Sequence, residues 1–189
     1  TSSDNTAVGD NALGANTTGA SNTAVGSAAG DAITTGNYNT ALGQGALSTA
    51  TTVNANTAVG NDALKTAAGA NNTAVGSGAA NATTTGTNNV AIGQNALDVN
   101  TTGAENTAIG ATAGDAITTG DNNVLIGSGT SVSAVDGSAA NVLGRSVSGE
   151  AGYTTVGSGS DDIRALHGNI NWATVSDERV KKDIEDSTA

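Results

Sequence analysis

Side chains able to do chemistry are scarce in this chain, and their spacing argues against most reactions. His167 is the only histidine and there is no cysteine, so a metal site built on it lacks the usual partners. Packing near the C-terminal end is the role that suits it better. Asp31 and Asp115 recur in register, in Ala29-Gly30-Asp31 and Ala113-Gly114-Asp115. The Gly-Gly-x-Gly-x-Asp nonapeptide of calcium-binding coils is absent, so these carboxylates read as turn caps before calcium ligands. There is no phosphate loop, catalytic triad or paired-carboxylate motif, and no cofactor or metal is expected. Residues 1–127 hold Asp4, Asp10, Asp31, Asp62, Asp98, Glu105, Asp115 and Asp121 against Lys65 alone. That leaves no basic patch for nucleic acid or an anionic membrane. The scattered acids of a chain with net charge -11 serve solubility. No stretch is long and apolar enough for membrane insertion as a helix, and no signal peptide is read at Thr1.

The elements that must position these residues come from one repeated unit, Asn-Thr-Ala-(Val/Leu/Ile)-Gly. Its closing glycines fall at Gly9, Gly26, Gly43, Gly60, Gly76, Gly93, Gly110, Gly127 and Gly144, 17 residues apart except for one interval of 16. A fixed short period marks a solenoid or fibre in which each repeat is one coil stacked on the last. Thr23-Ala24-Val25-Gly26 reads as a short strand with Val25 on one face and the glycine at a turn or close approach. Ala12-Leu13, or Ala32-Ile33, makes a second wall. The Asn-Thr-Thr-Gly and Ala-Asn-Asn segments are corners, since Asn and Gly enter the left-handed region cheaply. Two kinds of coil alternate: those at Asn5, Asn39, Asn56 and Asn89 continue into Ala-Leu, those at Asn22 and Asn106 into Ala-Gly-Asp-Ala-Ile. The coil at Asn72 is a degenerate copy. Stacked about 4.8 Å apart, the coils build a rod on the order of 40 Å long.

Composition limits how such a rod is held together. The chain has no Phe, Met, Pro or Cys, and much of its 37% hydrophobic content is alanine. Each coil offers the aliphatic before its glycine and about one more. At roughly 1.5–3 kcal/mol per buried aliphatic side chain, this hardly offsets about 1–2 kcal/mol of backbone entropy per residue. Three chains sharing an apolar axis lined by Val8, Val25, Leu42, Val59, Val75, Ile92, Ile109 and Ile126 bury those groups better, so a homotrimer is expected. Disorder is disfavoured because the apolar residues keep phase, and collagen is excluded by the missing proline and glycine triplet.

The C-terminal end is different. Tyr153-Thr154-Thr155-Val156-Gly157 reads as a last partial coil, 13 residues beyond Gly144. Ile163, Leu166, Ile170, Trp172 and Val175 concentrate large apolar side chains, and Asp161 to Val175 reads as a neck with Trp172 buried. Ser176 to Ile184 reads as a short helix with Ser176 at its N-cap, acids in the first turn and lysines later. The string Ser176-Asp177-Glu178-Arg179-Val180-Lys181-Lys182-Asp183-Ile184 resembles the opening Ser-Asp-x-Arg-x-Lys-x-Asp-Ile of the endosialidase-type intramolecular chaperone domain of phage tail fibres and tailspikes. The match is specific but covers only the last 14 residues. The repeats resemble the Asn-Thr-Ala-Ile-Gly arrays of phage fibre shafts and, more distantly, the head repeats of bacterial trimeric autotransporter adhesins.

The resemblance implies trimerisation followed by self-cleavage at Val175–Ser176, with Ser176 as nucleophile and Lys181 as its general base. A desolvated lysine can activate a hydroxyl in this way. On the residues alone, an N-cap serine and a solvated lysine serve equally well. The expected architecture is therefore all-β: a parallel β-coil or β-solenoid of about 17-residue repeats, as a homotrimeric β-helix or β-roll with a short C-terminal neck and helix. Residues 1–144 form the shaft, 145–175 the terminal coil and neck, and 176–189 the truncated start of the chaperone domain. The expected function is a trimeric fibre or adhesin shaft of a virion tail or cell surface. It would attach to a host receptor or glycan through a separate tip, and its enzyme activity would be at most one self-cleavage. A bacterial surface trimeric adhesin is one alternative. An ice-binding solenoid is the other, since Thr17-Thr18, Thr34-Thr35, Thr84-Thr85, Thr101-Thr102 and Thr118-Thr119 could stack as a hydroxyl array, although these pairs sit beside glycines at corners.

Overall fold

A computed structural model describes residues 2–168 and the backbone of residues 172–174. Each repeat contributes one three-residue strand: β1 (Thr6–Val8), β2 (Thr23–Val25), β3 (Thr40–Leu42), β4 (Thr57–Val59), β5 (Thr73–Val75), β6 (Val90–Ile92), β7 (Thr107–Ile109) and β8 (Val124–Ile126). Neighbouring strands pair in parallel with like residues aligned, Ala7 on Ala24, Ala24 on Ala41, Val25 on Leu42. The molecule is a β-solenoid of stacked coils, with no helix among the described residues. The strand alternates, so its middle residue, alanine in β1 to β7 and Leu125 in β8, points inward and its outer two residues point away from the core.

Corner chemistry fixes the coil. The asparagine before each strand forms a buried ladder: the Asn56 N–H donates to Asn39 Oδ1 at 3.1 Å, Asn56 Nδ2 donates to the Gly69 carbonyl at 3.0 Å, and the Asn72 N–H donates to Asn56 Oδ1 at 2.8 Å. The same pattern runs from Asn22 to Asn123. A neutral amide offers a donor and an acceptor at once, so one side chain satisfies backbone groups of two coils without burying a charge. The glycine after each strand also stacks on its counterpart. Gly43 has φ +134°, and a Cβ there would lie 2.5 Å from the Gly60 carbonyl oxygen. Backbone conformation and contact both exclude a side chain, which is why the sequence keeps glycine at this place.

The interior explains the two kinds of coil. Ala24, Ala41, Ala58, Ala74, Ala91 and Ala108 are buried under the strands. Beside them, two positions three residues apart share the remaining space. Leu47 stands with Ala50 and Leu64 with Ala67; Gly30 stands with Ile33 and Gly114 with Ile117. A Cβ on Gly30 would sit 3.1 Å from both Ile33 Cδ1 and Leu13 Cδ2. Leucine at the first position and isoleucine at the second therefore fill the same volume from opposite ends. The degenerate coil holds Ala80 and Thr83, with no larger aliphatic in its interior. Leu13, Leu47, Leu64 and Leu97 have φ of 48–52°, a left-handed conformation that a branched apolar residue adopts only under tertiary constraint.

Beyond the repeats the coil closes. β9 (Ser131–Val132) pairs with β11 (Ser148–Gly149), and β10 (Asn141–Arg145) extends the long sheet. β12 (Tyr153–Ser158) aligns Gly157 on Gly144 in parallel, so the partial coil expected there is formed. β13 (Asp161–Leu166) and β14 (Trp172–Thr174) then run antiparallel. Arg164 Nη2 meets Asp162 Oδ2 at 3.4 Å and its Nη1 meets Glu150 Oε2 at 3.3 Å. The part of the expected neck that is described is thus a β-meander closing the last coil. The side chain of Trp172 and the expected helix over 176–184 lie outside the described residues.

Candidate functional site

The outward face of the long sheet carries the feature that the fold itself leaves unexplained. The aliphatic before each glycine points away from the alanine-filled interior, and strand register stacks these residues into one column. It runs Val8, Val25, Leu42, Val59, Val75, Ile92, Ile109, Ile126, Leu143 and Val156, with Ile163 opposite Val156. Leu42, Ile92, Ile109, Ile126 and Leu143 are 37–49% exposed. The glycine ladder borders the column on one side with bare backbone. The first strand residue borders it on the other: threonine in most coils, but Val90 beside Ile92 and Val124 beside Ile126. No strand from β1 to β8 contains a charged residue. Soluble monomers rarely expose contiguous apolar patches beyond a few hundred Å², and this one runs the length of the described solenoid.

Electrostatics lie elsewhere on the surface. Asp98 and Asp115 occupy the same place on adjacent coils, where burial and then repulsion from Asp115 hold the Asp98 carboxyl above its ordinary value of 3.8. Asp31 lies in the same column but five coils from Asp115, so the two do not converge on one site. Among the described residues neither accepts a turn hydrogen bond, so the sequence reading of these aspartates as caps does not hold. Nor does any group of three or more His, Cys, Asp or Glu there suit a metal ion. His167 is exposed rather than packed, with Nε2 3.3 Å from Asn141 Nδ2 and 3.2 Å from Thr154 Oγ1. The hydroxyls of Thr17, Thr34, Thr84, Thr101 and Thr118 donate to carbonyls of the next coil, so their protons are already committed within the fold. Ser176 and Lys181 lie outside the described residues.

Sequence reasoning located the column through its fixed place before each glycine. It missed the extension through Leu143 and Ile163, although Leu143 also precedes a glycine. It also missed the exchange of Leu and Ile between the two interior positions. That signal was present in the alternation of Ala-Leu with Ala-Gly-Asp-Ala-Ile, but only the coil geometry shows that the two side chains meet. No protein-family model, curated protein or solved structure matches this chain.

Proposed function

We propose that this chain is the shaft of a trimeric attachment fibre, of a phage tail or a related surface adhesin, in which three copies meet along the aliphatic column. The single observation that carries the reading is the column itself: in register, free of charge and at least partly exposed along the whole sheet. A second copy of the same chain matches its spacing of about 4.8 Å per coil over the full length, which an unrelated surface does not. The rod then acts mechanically, as a stiff spacer holding a receptor- or glycan-binding tip away from its base. The resemblance of residues 176–184 to the chaperone opening supports the phage form of this reading, with Ser176 as nucleophile and Lys181 as base in a single self-cleavage. Ice binding draws less support, because the first threonine hydroxyl of each stacked pair already donates to backbone.

Light scattering on the purified chain tests this. A mass near 54 kDa, three times 18.0 kDa, is expected, and Ile109→Asp with Ile126→Asp should shift it toward one chain. A stable 18.0 kDa species for the unmodified chain would overturn the trimer. A trimer with thermal-hysteresis activity would favour ice binding over attachment.

A further inference from the structure

The interior is not uniform along the axis. From Leu13 to Ile117, the coil that begins at β5 is the one without a bulky buried aliphatic, because Ala80 and Thr83 take both shared positions. Thr83 is fully buried and its Oγ1 has no hydrogen-bond partner. Two lateral columns also fail next to this coil. The chain of threonine hydroxyls donating to the next carbonyl runs from Thr17 through Thr34 to the Thr51 carbonyl, meets Ala68, and resumes at Thr84. The amide column in which the Asn37 N–H donates to Asn54 Oδ1 at 2.9 Å ends at Ala70. The preceding coil is one residue short, from Gly60 to Gly76.

Other links persist across the same level. The Asn72 N–H still reaches Asn56 Oδ1 at 2.8 Å, and β4, β5 and β6 stay in register. Thr66 Oγ1 donates to the Asn81 carbonyl at 2.6 Å, on the side opposite the strands. In a stack of coils, stability is close to a sum of coil and neighbour terms. The coil with the least buried apolar area therefore opens first.

We propose that residues 60–86 are a joint built into the shaft, a level at which the stack opens locally and bends while the asparagine ladder and the long sheet keep it connected. The joint does not depend on how many chains assemble. In any in-register assembly of identical chains, the weak coils fall at one height, so the whole fibre flexes there and stays stiff on either side.

Hydrogen exchange read by mass spectrometry on the full chain tests it. Peptides covering Thr66 to Thr83 should exchange at least about tenfold faster than those covering Leu47 to Ala50 or Leu97 to Asn100. Ala80→Leu with Thr83→Ala installs the pair used by Leu64 and Ala67, and should bring the difference within about threefold. Ala80→Gly with Thr83→Ile installs the Gly114–Ile117 pair and should do the same by the other arrangement, which guards against one variant failing to fold. Equal protection from Leu47 to Asn100 in the unmodified chain would overturn the joint. Fast exchange that survives in a folded, filled variant would also overturn it.

Discussion

If Leu and Ile fill one interior volume from two positions, then moving the bulk within a single coil should be tolerated while adding or removing it is not. The coil of Gly30 and Ile33 allows the test. Ile33 is fully buried, so Ile33→Ala removes three carbons and leaves a cavity, at a cost of about 2–5 kcal/mol. Gly30→Leu alone places a Cβ 3.1 Å from Ile33 Cδ1 and Leu13 Cδ2, and the rest of the side chain must enter occupied space, at a cost of about 1–3 kcal/mol. Together the two changes recreate the Leu47–Ala50 arrangement and restore the volume. What remains is a leucine at the Gly30 φ of +59°, close to the 52° that Leu47 already adopts. That conformation costs about 1–2 kcal/mol against glycine, reduced by the smaller entropy of the unfolded chain. The double variant should therefore lie within about 1 kcal/mol of the parent, with a coupling of about 2 kcal/mol or more between the sites. Guanidinium unfolding at fixed chain concentration measures all four corners of the cycle, and exchange-derived opening energies of the coil check that the effect is local. Simple addition of the two single costs would refute the shared-volume account.

Three further outcomes follow from the same geometry. Gly43→Ala should destabilise by about 3 kcal/mol or more, since it combines a glycine-only backbone conformation with a clash. Gly152→Ala, with φ +77° and nothing within 4 Å, should cost only about 1 kcal/mol; equal losses in thermal melts would mean the glycine ladder is not sterically enforced. Asn56→Leu leaves the buried Gly69 carbonyl and Asn72 N–H unpaired, about 1–3 kcal/mol for each group, and an unchanged denaturation midpoint would remove the ladder from the account of stability. For Asp98, burial and then Asp115 raise the folded pKa above 3.8. Folding therefore disfavours the charged form, so the Asp98 contribution to stability improves as pH falls through the raised value and levels off below 3.8. Asp98→Asn should be the more stable protein near neutral pH, with its advantage shrinking on acidification. A difference independent of pH would contradict this.

How much could be read from the chain alone follows from what a repeat encodes. The period, the strand in Asn-Thr-Ala-Val-Gly and the corner asparagines were legible because each depends on local geometry: alternation along a strand, amide chemistry at a turn, and a glycine where no Cβ fits. The aliphatic column was also visible, since period and alternation place Val25 and Leu42 on the same face. The tertiary structure decided what the other side chains do. Ile33 and Leu47 lie at different places in their coils and fill equivalent space, which emerges only when the corners close. Thr83 and Ala80 look like ordinary variation until stacking puts them inside with nothing larger beside them. Likewise Asp98 and Asp115, 17 residues apart, become electrostatic neighbours because a solenoid turns one period of sequence into one step along its axis.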